Sequence, residues 1–60
     1  MKNIKMSTNE NGILTIQIDL SQDHGPSKSG KTIVVASTQG NQKVDNSEVI
    51  IGINCYKYPE

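Results

Sequence analysis

Arginine, phenylalanine and tryptophan are absent from this chain, and cysteine occurs once. Each absence excludes something. Without arginine there is no guanidinium fork, the usual bidentate partner of phosphate and guanine. Nucleic-acid binding is therefore a conditional reading, resting on lysine alone. A single cysteine, Cys55, excludes an internal disulfide framework and any cysteine-based zinc cluster. A reducing cytoplasm is the simplest compartment for such a chain. The opening MKNIKMSTNENG has no apolar signal core. The longest apolar run, Ile33 to Ala36, is far too short to span a bilayer, so no membrane partner is expected. Six lysines balance six acids, leaving no net charge to draw the chain to polyanions.

At 60 residues the chain is one small domain, 1–60, near the lower limit for a core that folds alone. Only a third of it is apolar, and isoleucine and valine dominate that third. Such a supply favours strands and builds a thin core.

The apolar residues recur with period two rather than 3.6, so no segment reads as an amphipathic helix. Ile4 and Met6 alternate with polar neighbours. After the turn signal Asn11-Gly12, residues Leu14, Ile16, Ile18 and Leu20 share one face. These two segments read as a hairpin. Residues 21–30 are almost all turn formers and read as a loop. The run from Thr32 to Thr38 suits a central strand, extended to Val44 past a bulge at Gly40. Asp45-Asn46-Ser47 makes a turn. A last strand comes after it, with Val49, Ile51, Ile53 and Cys55 in phase. The expectation is an all-β fold: a four-stranded antiparallel sheet of two hairpins, with strands near 2–8, 13–20, 32–44 and 48–58. With no helix to cover it, that sheet must curl on itself or meet another copy, as a homodimer or larger oligomer.

One motif suggests chemistry. Gly25-Pro26-Ser27-Lys28-Ser29-Gly30-Lys31-Thr32 matches G-x-x-x-x-G-K-[ST], the loop that wraps nucleotide phosphates. That chemistry needs a strand before the loop and a helix starting at the Lys-Thr, with its N-terminus on the phosphates. Here Ile33, Val34 and Val35 come next, and they favour a strand. No later apolar run ends in an Asp that could hold magnesium. The plain reading is a connecting loop, and an intermediate one is an anion cradle made by backbone N–H groups with Lys28 and Lys31. His24, alone on a polar loop, has no second ligand at metal-binding spacing. Cys55 is in phase with core residues. No cofactor and no metal is called for, and no catalytic group stands out.

The segments Ser27–Thr32, Val35–Thr38, Gly40-Asn41 and Gly52-Ile53-Asn54 with Tyr56 carry a resemblance. The pattern SGKT…VAST.GN…G.N.Y, spanning residues 27–58, resembles a group of very small bacterial and prophage-type proteins without an established activity. The resemblance implies a compact β protein in which SGKT travels with strands. The expected function is a non-enzymatic binding module acting as an oligomer. Its ligand is a macromolecule, either a protein partner or single-stranded nucleic acid. The expected contacts are Lys28, Ser29 and Lys31 in the loop, Lys43 and Lys57 on strands, and Tyr56 and Tyr58 as stacking groups. The alternative is a structural or inhibitory protein that adds a strand to its partner.

Overall fold

A computed structural model describes residues 1–59 and contains no helix among them. Six short strands form: β1 (Lys5–Thr8), β2 (Leu14–Gln17), β3 (Ile33–Ser37), β4 (Gln42–Lys43), β5 (Ile50–Ile51) and β6 (Asn54–Lys57). They pair as three antiparallel two-stranded sheets, β1–β2, β3–β6 and β4–β5. The sheets do not close into a barrel.

The first hairpin turns at Asn9–Gly12. Asn9 N–H donates to the Ile13 carbonyl at 3.0 Å, and Gly12 takes φ +75°. That is a three-residue loop closed by a glycine bulge rather than a two-residue turn. Asn9 Oδ1 also accepts from the N–H groups of Asn11 and Ile13, at 2.8 and 3.0 Å. The register sets Met6 opposite Ile16 and Thr8 opposite Leu14. The alternation read from the sequence is therefore real, but its apolar face is poorly covered. Leu14 and Ile18 are half-buried, whereas Ile16 and Leu20 are exposed.

The expected long strands 32–44 and 48–58 are each broken in two. The cause is a corner at Thr38–Asn41. Gln39 and Gly40 both take positive φ, +58° and +108°, which ends the extended chain. Thr38, 1 % exposed, holds the corner. Its hydroxyl donates to the Gly40 carbonyl at 2.6 Å and accepts from Ile53 N–H at 3.0 Å, while its own N–H reaches the Ile53 carbonyl at 3.1 Å. Beyond the corner, β4 and β5 pair briefly and Val44 N–H closes the 45–48 loop on the Val49 carbonyl. The bulge expected at Gly40 lies instead in β3, where the register slips between Val34 and Ala36.

β3 is the middle of the molecule. One edge pairs with β6, placing Ile33 opposite Lys57, Val34 opposite Tyr56, Ala36 opposite Cys55 and Ser37 opposite Asn54. The other edge is taken by two segments from earlier in the chain. Val34 exchanges hydrogen bonds with His24 and Gly25, and Ser37 exchanges two with Lys2. Asn3, with φ +58°, then ties the first hairpin to β3. Its Nδ2 donates to the carbonyls of Asp19 and Val35, at 2.8 and 2.9 Å, and its Oδ1 accepts from Asp19 N–H.

The core is as thin as the composition implied. Val35, Ala36 and Val44 are the buried apolar side chains among the described residues. The molecule measures 42 × 20 × 12 Å with a radius of gyration of 13.1 Å. A compact domain of this length would be near 10 Å. It is a plate roughly one sheet thick, since stacked sheets alone stand about 10 Å apart.

Candidate functional site

The Gly25–Thr32 segment is the tip of a β-hairpin. Residues 24–27 run antiparallel to 32–34, with Pro26 bridged to Ile33 and Ser27 N–H donating to the Thr32 carbonyl at 2.8 Å. Gly30, at φ +75°, completes the turn, its N–H on the Ser27 carbonyl at 2.9 Å. The stretch read as a loop is thus half strand-like arm and half turn. Composition hid this because Gly25, Pro26 and Ser27 of the arm are also good turn formers.

The geometry is the reverse of a nucleotide-phosphate loop. Lys31-Thr32 leads directly into β3, so no helix N-terminus faces the loop. The N–H groups of Ser27 and Gly30 point to the hairpin's own carbonyls, and Lys31 N–H points to Ser29 Oγ at 3.4 Å. The hydroxyls are also joined to one another. Thr32 Oγ1 donates to Ser27 Oγ at 2.9 Å, and Ser27 Oγ lies 3.2 Å from Ser29 Oγ. The motif's small polar residues therefore knit the hairpin.

The β3–β6 register brings most of the expected contact residues to one end of the sheet. Lys57 is opposite Ile33, and Lys31 lies two residues, roughly 7 Å of strand, further along. Tyr56 and Tyr58 are exposed and meet edge to face, with ring centroids 6.1 Å apart and planes at 86°. Lys28 and Ser29 cap the hairpin at the same end. Lys43 does not join them. It pairs with Ile50 beyond the Thr38 corner.

Beside Tyr56 runs a groove of about 220 Å³, whose polar lining includes Ser27, Thr32, Ser37 and Asn54. Sequence reasoning missed these four as a group, because only the pairing of three separate segments places them together. Half-buried Cys55 also borders it. His24 is exposed and does not line the groove; its Nε2 lies 2.7 Å from Gln22 Oε1. Among the described residues no three of His, Cys, Asp and Glu converge as a metal site, and no helix is long and apolar enough to cross a membrane. The one clearly perturbed acid among the described residues lies elsewhere. The Asp19 carboxyl is held below its ordinary value by the Ser21 hydroxyl and then by Ser21 N–H, with desolvation opposing them and Gln22 adding a lesser contribution.

No family model, curated protein or solved structure matches this chain.

Proposed function

We propose that this chain is a non-enzymatic β binding module of the cytoplasm that works as a homo-oligomer and takes a macromolecular ligand. The observation that carries the reading is its excess surface. The chain exposes 4781 Å², whereas a compact monomer of this mass exposes about 3,900 Å². The difference, about 900 Å², is close to the roughly 800 Å² that each partner buries in a standard interface. Leu20, Val49, Ile50 and Tyr58 are more than half exposed, and self-association would give such groups cover. Sedimentation equilibrium from micromolar to millimolar protein tests the reading. A concentration-dependent rise to dimer mass or above is expected, and a monomer throughout the range overturns it.

Single-stranded nucleic acid is the ligand favoured by the end of the sheet where Lys28, Lys31 and Lys57 lie with Tyr56 and Tyr58. Stacking on tyrosine beside lysine is tolerant of sequence and does not need arginine. Titration with a labelled oligothymidylate should show binding that weakens steeply with salt. Binding that ignores salt or is unchanged in Tyr56→Ala/Tyr58→Ala removes this ligand and leaves a protein partner. Lys43 would contribute only if oligomerisation returned it to the same surface. The second reading is strand addition to a partner by the prophage-type route, and the unpaired outer side of β6 favours it. Nucleotide binding through residues 25–32 is the least supported reading. Mg-ATP is expected to leave the melting temperature unchanged. A stabilisation lost in Lys31→Ala would restore this reading.

A further inference from the structure

We infer that the outer edge of β6 is the self-association surface, pairing antiparallel with β6 of a second copy. The inference rests on the homo-oligomer reading and names its interface. The hydrogen bonds of β3 establish the direction of the β6 backbone. Val34 sends both its N–H and its C=O to Gly25 and His24, and Ser37 sends both to Lys2. In an antiparallel ladder, residues facing each other either exchange both bonds or neither. Tyr56 faces Val34, and Asn54 faces Ser37. Tyr56 and Asn54 therefore direct their own N–H and C=O away from β3. Ile53 has the opposite parity and turns inward, its carbonyl accepting from Thr38 N–H. The bulge that reconciles these phases lies in β3 and leaves β6 regular.

The edge so defined carries few of the devices that keep edges apart. β6 contains no proline and no bulge, its only charge is Lys57, and no other strand among the described residues covers it. A second copy suits this edge because the strand is compatible with itself. Two-fold pairing centred on Cys55 or on Tyr56 sets Lys57 against the partner's Ile53 or the partner's Cys55, so no like charges meet. The chain's zero net charge adds no longer-range repulsion. Tyr56 and Tyr58, both exposed in the monomer, would lie across the new seam.

Amide exchange read by NMR, alongside sedimentation, tests the interface on the full chain. As dimer accumulates, the Asn54 and Tyr56 amides should slow about tenfold or more, while Lys57, facing Ile33, is protected at every concentration. Dimer formation with those two amides still exchanging freely overturns the β6 interface but leaves self-association standing. A monomer at all concentrations overturns both. Tyr56→Pro removes an N–H that β3 does not use. With its monomer circular dichroism intact, it should dimerise at least about tenfold more weakly, because the two-fold loses a hydrogen bond twice. Dimerisation at the wild-type level by a folded Tyr56→Pro variant also overturns the inference.

Discussion

Replacing Thr38 by valine isolates what holds the corner between β3 and β4. Valine keeps the shape and β-branching of threonine, so the change removes a hydroxyl and leaves no cavity. The lost hydroxyl serves two partners, the Gly40 carbonyl at 2.6 Å and Ile53 N–H at 3.0 Å. Gly40 is exposed, so its carbonyl can turn to water and loses only the bond, whereas Ile53 is half-buried and its N–H is left without a partner in the corner. A net hydrogen bond contributes about 1 kcal/mol, and leaving a buried partner unsatisfied costs about 1–3 kcal/mol. The substitution should therefore destabilise by about 2–4 kcal/mol. A domain with so small a core rarely has more than about 3–5 kcal/mol to lose. Urea unfolding at one fixed protein concentration, followed by far-ultraviolet circular dichroism, should show Thr38→Val partly unfolded before denaturant is added. Thr38→Ser keeps the hydroxyl and loses a methyl group, so it should be the milder change. Thr38→Val within about 0.5 kcal/mol of wild type, with Thr38→Ser the worse of the two, would refute the argument and assign the corner to methyl packing.

Asn3→Ala removes three hydrogen bonds and leaves a Cβ residue at φ +58°. A loss of about 2 kcal/mol or more is expected in thermal melts, and Asn3→Gly should recover roughly 0.5–1 kcal/mol of it by relieving the backbone. At Gly52 an added Cβ would stand 2.8 Å from Asn41 Oδ1. Gly52→Ala should cost about 1 kcal/mol in urea unfolding, and Gly52→Ala/Asn41→Ala should recover most of that in a double-mutant cycle. The Asp19 carboxyl should titrate below 3.8 by NMR and move back toward it in Ser21→Ala. Because the folded value is the lower one, its contribution is present above the unfolded value and fades as pH falls through the folded one, so Asp19→Asn should flatten the acid limb of the stability curve.

The strand-rich, helix-free character was legible because twelve isoleucines and valines at period two permit little else. Gly12 announced its turn. The interruption of the two long strands was not legible. It depends on Gln39 adopting a left-handed conformation and on a threonine hydroxyl reaching a residue fifteen positions away. A polar run such as Thr38–Asn41 gives the same local signal for a bulge as for a corner. The site was half legible. Lys57 between two tyrosines was visible as a pattern, and the distance between Lys43 and the other lysines was not, because it follows from that corner. The strand after Lys31-Thr32 was legible in sequence and is seen in space: the β-branched residues continue as β3.

β3 has one further consequence, for how the molecule comes apart. Its neighbours come from residues 2–3, 24–27 and 54–57, so three distant parts of the chain meet on five residues. Three two-stranded sheets of this size would each melt independently if nothing joined them. β3 and the Thr38–Ile53 bonds that tie the β4–β5 sheet to it make the 24–57 region one cooperative unit, while the first hairpin hangs from it through Lys2 and Asn3. Sub-global opening should begin by unlatching that hairpin, exposing the edge of β3 that Lys2 covers.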